Sequence, residues 1–104
     1  MKQAFQMANL FSSFLADGEI GNRFRFTEVE TAFTLGNVVV FDFVGVTNMT
    51  DSFANGLFAN LMADHPNDFA NLIEFKNCSP LIRSLITSAV ARGWEESKNW
   101  PLTN

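Results

Sequence analysis

Residues 38–62 read VVVFDFVGVTNMTDSFANGLFANLM, and this stretch decides the fold. Val38 to Val44 is β-branched or aromatic except for Asp42. A run so nearly continuous in apolar character suits a central strand covered on both faces. Gly45 to Thr50 forms the loop that follows. From Asp51 to Asp64 the apolar residues Phe53, Leu57, Phe58, Leu61 and Met62 recur at helical spacing. Thr50, Asp51 and Ser52 open that helix with side chains suited to the free N–H groups of a first turn. An acid there also gains from the helix dipole, by about 0.3–1 kcal/mol.

Outward from this unit, strands and helices alternate. Lys2 to Ala8 alternates loosely and is read as a short strand. Asn9 to Ile20 is ambiguous: Leu10, Phe11, Phe14 and Leu15 have helical spacing, but serines interrupt them and Asp17-Gly18 signals a turn. Gly21-Asn22 starts a helix over Arg23 to Phe33 with the stripe Phe26, Val29 and Phe33, and Gly36 is its left-handed cap. After the break at His65-Pro66-Asn67, Leu72 to Lys76 is a strand. Ser79 caps the last helix and Pro80 takes its first position. Leu81, Ile82, Leu85, Ile86, Ala89 and Val90 form its apolar stripe, which is expected to pack on the sheet. Gly93 is expected to end it, leaving 94–104 as a polar tail. This order predicts one α/β domain, a small sandwich of three to four strands with right-handed crossovers and helices packed mainly on one face. If only one face is covered, the apolar continuity of Val38 to Val44 needs a separate explanation.

The composition narrows the function classes. The chain has 104 residues, enough for one domain, and its 47% hydrophobic content supports a core. A domain of this size is modestly stable, which leaves room for a protein partner or a homodimer. A net charge of −4 argues against nucleic-acid binding. The start of the chain lacks a signal-peptide core, and no apolar run approaches the ~18 residues of a membrane span. The expected compartment is the cytoplasm. The 12 Phe and absent Tyr point to a Phe-filled core, with a Phe-lined pocket for a small molecule or lipid as the alternative.

Catalytic signals are weak. His65, the single histidine, stands at a helix end, where a cation suits the dipole. No His, Cys and Asp cluster has metal-ligand spacing, and no nucleophile–base pair is visible, so neither a cofactor nor an enzyme is expected. Asp17 with Glu19, and Glu28 with Glu30, are read as solvated acids. The single cysteine, Cys78, reads as a small buried apolar residue, although a thiolate at a helix start would be stabilised. Asp42, inside an apolar strand, is read as a tether for the loop after it, because an unpaired buried carboxylate is costly.

The pattern of Val39, Val40, Asp42, Phe43, Val46, Asp51 and Ser52 resembles the STAS domain of sulfate transporters and anti-sigma-factor antagonists. Phe53 and Ala54 depart from the Ser/Thr and Gly usual in the antagonists. Ser52-Phe53-Ala54-Asn55, Gly21-Asn22-Arg23-Phe24-Arg25 and Phe75-Lys76-Asn77 are closer to STAS-like domains of unknown function, over about residues 20–92. The resemblance implies a non-enzymatic regulatory module. Met49, Thr50, Asp51, Ser52 and Asn55 would meet a protein partner, a histidine-kinase-like ATPase or anti-sigma factor, and phosphorylation of Ser52 would switch binding.

Overall fold

A computed structural model describes residues 1–99. Its strands are β1 (Lys2–Gln6), β2 (Phe14–Leu15), β3 (Val38–Asp42), β4 (Asn48–Met49) and β5 (Ile73–Lys76). Its helices are α1 (Met7–Leu10), α2 (18–34), α3 (51–64), α4 (Phe69–Leu72) and α5 (Pro80–Asn99). β3 is the central strand of a parallel sheet ordered β1-β3-β5, as its apolar run predicts, and β2 and β4 form a separate parallel pair. The domain is mixed α/β.

The register explains how β3 is apolar as far as Asp42 although the helices cover one face. Phe5, Phe41 and Phe75 stand in one row across the sheet. Phe24 from α2 meets Phe5 edge-on at 4.9 Å, and Phe58 from α3 meets Phe41 edge-on at 5.1 Å. The Phe-rich core is thus the helix-facing side of the sheet. On the other side Lys2, Ala4, Gln6, Glu74 and Lys76 are exposed. Val40 on that side is nevertheless buried, flanked by Ala4 and Glu74 in the register. Lys2 reaches across β3 to Glu74, with Nζ to Oε2 at 2.9 Å. Neighbouring strands, rather than a second helical layer, cover the middle of β3.

Both long inner helices carry a π-helical turn. In α2 it is Arg25–Val29, between α-helical Gly18–Phe24 and Glu30–Thr34; in α3 it is Asn55–Ala59, between Asp51–Ala54 and Asn60–Asp64. α2 starts at Gly18, not near Arg23, because Asp17 caps it by accepting from the Glu19 N–H at 2.9 Å. The wider turn rotates the expected stripe: Val29 and Ala32 are buried, while Phe26 is 60% exposed beneath the Arg25 guanidinium. Gly36 has φ +82 and closes α2 as expected.

Two expectations for the last helix are corrected. Gly93 does not end it; α5 runs on through Trp94 to Asn99. A Cβ on Gly93 would run into the carbonyl oxygen of Ala59, so glycine lets α5 lie close to α3. α3 is its closest backbone neighbour, and the buried stripe of α5 shares one core with Phe41 and Ile73 of the sheet. Ile82, Ile86 and Ala89 are buried in its inward stripe, but Leu81 is 48% exposed. The expected tail from Trp94 is therefore helical to Asn99, and residues 100–104 lie outside the described residues.

Candidate functional site

The loop from β3 to α3 is built by hydrogen bonds to the segment before α2. The Thr47 N–H donates to the Ser13 carbonyl at 2.8 Å, and the Thr50 N–H to the Leu15 carbonyl at 2.9 Å. Between them Asn48–Met49 pairs with Phe14–Leu15. Thr50 then caps α3: its hydroxyl oxygen accepts from the Phe53 N–H at 3.0 Å and donates to the Ala16 carbonyl at 2.7 Å. Asp51 and Ser52 follow, both exposed in the first turn of α3. Ser52 lies against Gly18, the first residue of α2. Asn55, one turn on, accepts two hydrogen bonds from Arg92 of α5, at 2.9 and 2.6 Å. The result is a polar corner where the starts of α2 and α3 meet the side of α5.

Met49 is the exception among the residues assigned to a partner surface. Its side chain is only 3% exposed and belongs to the core. It faces inward because the β2–β4 pairing places it beside buried Leu15. Of the other assigned residues, Asp51 and Ser52 are exposed and Thr50 and Asn55 are half-buried.

Asp42 secures the other end of the loop. Its carboxylate accepts from the Asn77 side chain at 2.9 Å, from the Val44 N–H at 3.0 Å and from Gln6 at 3.3 Å. The Asn77 hydrogen bond, and after it the Val44 N–H, holds this carboxyl below its usual range. The tether read from the sequence is thus present, and its partners come from β1 and the residue after β5.

The remaining candidates serve the scaffold. His65 is half-buried, with Nε2 2.9 Å from the Glu30 carboxylate and its ring edge-on to Phe33. Glu30 is therefore a helix–helix clasp rather than a solvated acid. Arg25, 6% exposed, joins the same region: it donates to Asn22 and, at 2.7 Å, to Asp64. Cys78 is half-buried, and burial pushes its thiol pKa up, against the stabilised thiolate of a reactive cysteine. Among the described residues no group of three or more His, Cys, Asp or Glu could hold a metal. No helix among them is long and apolar enough to cross a membrane. The sequence reading missed Arg92, Gly18 and Ala16. Each meets the corner from more than thirty residues away in sequence, a distance at which spacing carries no signal.

The profile of a family described as a STAS-like domain of unknown function (DUF4325) matches residues 21–83, more than half of the chain. The chain belongs to this STAS-like family. No curated protein and no solved structure matches it. The matched stretch of this STAS-like domain begins at Gly21 in α2 and ends in the first turn of α5. It contains β3, the start of α3 with Thr50, Asp51, Ser52 and Asn55, and β5. Edge strand β1 and Arg92 lie outside it, yet one pairs with β3 and the other holds Asn55. Within the match, Gly21, Phe24 and Arg25 have structural roles: close approach to Phe53, core filling and the bond to Asp64.

Proposed function

We propose that this STAS-like domain is a non-enzymatic regulatory module that binds a protein partner through Thr50, Asp51, Ser52 and Asn55. Phosphorylation of Ser52 weakens that binding. The observation that carries the reading is the position of Ser52: exposed, in the first turn of the helix that follows the central strand's loop. The partner class is an anti-sigma factor or histidine-kinase-like ATPase, in the cytoplasm. A phosphoserine brings about −1.5 to −2 charges. The N-terminus of α3 favours that charge locally, so the fold accommodates it. A partner surface docked over Asp51 and Asn55 meets it as added negative charge and bulk beside an existing acid.

The chemistry at the corner supports binding over catalysis. His65 is at the opposite end of α3 from Ser52, about 20 Å away at 1.5 Å per residue, so it is no base for that hydroxyl. The test is a pull-down from the source cell with the whole chain. It is followed by intact-mass measurement after incubation with ATP and the captured partner. A single added phosphate, lost in Ser52→Ala, together with reduced capture of the phosphorylated form, is the expected result. A partner captured equally well by both forms overturns the switch, and turnover of a substrate by the isolated chain overturns the non-enzymatic reading.

A further inference from the structure

A cavity of about 410 Å³ opens between β5 and α5, and none of the corner residues lines it. Its apolar wall is Phe69, Phe75, Ile86 and Val90. Phe75 and Val90 remain half-buried, so apolar surface faces the opening. At the rim, Asn77 is already committed to Asp42, and the Thr87 hydroxyl donates to the Arg83 carbonyl at 2.8 Å. Arg83 also lines the cavity, and its guanidinium makes no hydrogen bond or ion pair among the described residues. Arg25 and Arg92, by contrast, are held by side-chain acceptors.

An apolar wall with one uncommitted guanidinium at its edge selects a ligand of matching polarity. Hydrocarbon or an aromatic ring fills the wall, and a guanidinium pairs best with a planar carboxylate through parallel N–H bonds. The volume is near the low end of the roughly 300–1,000 Å³ typical of ligand sites. A single ring or a medium chain therefore fits better than a long lipid. We propose that this cavity binds a small amphipathic monocarboxylate, its hydrocarbon against Phe69, Phe75, Ile86 and Val90 and its carboxylate on Arg83. The site is independent of the corner at Ser52, so either reading stands if the other fails.

The test titrates octanoate and 4-phenylbutyrate into the ¹⁵N-labelled full chain, beside octanol and 4-phenylbutanol as uncharged counterparts. Saturable shifts at the cavity residues with at least one acid are expected. A ligand of this size should give a Kd on the order of 1 mM or tighter. The matching alcohol should bind about tenfold more weakly, and Arg83→Gln should cost the acid about tenfold in affinity while leaving the alcohol unchanged. Arg83 is exposed, so this variant tests the site without disturbing the core. Thr87→Phe, also at an exposed rim position, should block both ligands. The proposal is overturned if neither acid gives saturable shifts at these residues, if the alcohol binds as tightly as the acid, or if Arg83→Gln binds the acid like the parent.

Discussion

The Ser52 hydroxyl oxygen occupies the space that a Cβ on Gly18 would need. One turn along α3, a Cβ on Gly56 would run into the Gly18 carbonyl oxygen. Gly18 is thus clamped between two positions on one face of α3, and the missing side chains let α2 begin where α3 begins. With the Thr50 hydrogen bond to Ala16, this packing makes the corner a fixed surface.

Gly18→Ala should therefore destabilise the domain. The added Cβ would meet the Ser52 carbonyl oxygen at 2.6 Å as well as its hydroxyl, so rotating the side chain alone does not relieve it. Overpacking of this kind costs about 1–3 kcal/mol. Urea unfolding of the parent, Gly18→Ala and the double variant Gly18→Ala/Ser52→Ala measures it. The double variant should retain most of the loss, because the backbone contact survives. A loss below about 0.5 kcal/mol would mean that the two helix starts separate freely, since that is the ordinary range of surface changes.

Gly93→Ala tests the close approach of α5 to α3. At an open helical position, Gly→Ala gains about 1 kcal/mol. Here the new Cβ would meet the Ala59 carbonyl carbon at 2.9 Å and the Met62 Cβ at 3.0 Å, besides the Ala59 oxygen. The expected sign is reversed, to a loss of about 1–3 kcal/mol in urea melts. A stabilised Gly93→Ala variant would show that α5 moves away without cost.

Such contacts also mark the limit of what the sequence reveals. The β-branched or aromatic run of Val38 to Val44, the Thr50 cap and the Ser79 cap are local signals; the strand forms but ends at Asp42, and both caps appear where their chemistry requires. The role of Gly93 is not legible, because a glycine that stops a helix and one that admits a neighbour look identical in one chain. The exposure of Phe26 is not legible either, because a π turn shifts the stripe without changing any residue type. The β2–β4 pair is two residues long on each side, too short for alternation to show. At the candidate site, Asp51 and Ser52 were legible as a helix start, whereas the inward side chain of Met49 depends on that unseen pairing.

Ile82 and Leu81 are neighbours with opposite fates. Ile82 is fully buried and Leu81 is largely exposed. Ile82→Ala should cost about 2–5 kcal/mol, through lost burial and the cavity left behind. Leu81→Ala should stay within about 0.5 kcal/mol. Equal losses in urea melts would mean that the start of α5 is rotated from its observed setting.

Asp42 makes a pH-dependent contribution of known sign. Its carboxyl is held below the usual range, chiefly by Asn77 and then by the Val44 N–H. A depressed folded-state pKa stabilises the fold above the unfolded-state pKa, and that stability disappears as pH falls through the folded value. The stability gap between the parent and Asp42→Ala should therefore be full at neutral pH and shrink below the ordinary carboxylate range. Urea melts across that window measure the gap. A gap unchanged into acid would assign the tether to hydrogen bonds that do not depend on the charge.

Ser52→Asp separates folding from binding at the corner. The Ser52 hydroxyl leans on Gly18, but the residue is exposed, so an aspartate has solvent to turn towards. A negative charge in the first turn of α3 is favoured by the dipole, by about 0.3–1 kcal/mol, and Asp51 beside it offsets part of that gain. Melting temperatures of Ser52→Asp and Ser52→Ala should therefore stay close to the parent. Affinity for a captured partner should fall at least about tenfold in Ser52→Asp, by repulsion and desolvation at the interface, and remain near the parent value in Ser52→Ala. If Ser52→Asp unfolds the domain, the hydroxyl's contact with Gly18 is its whole role. If both variants bind like the parent, the partner docks elsewhere, and the regulatory reading fails at the residue on which it rests.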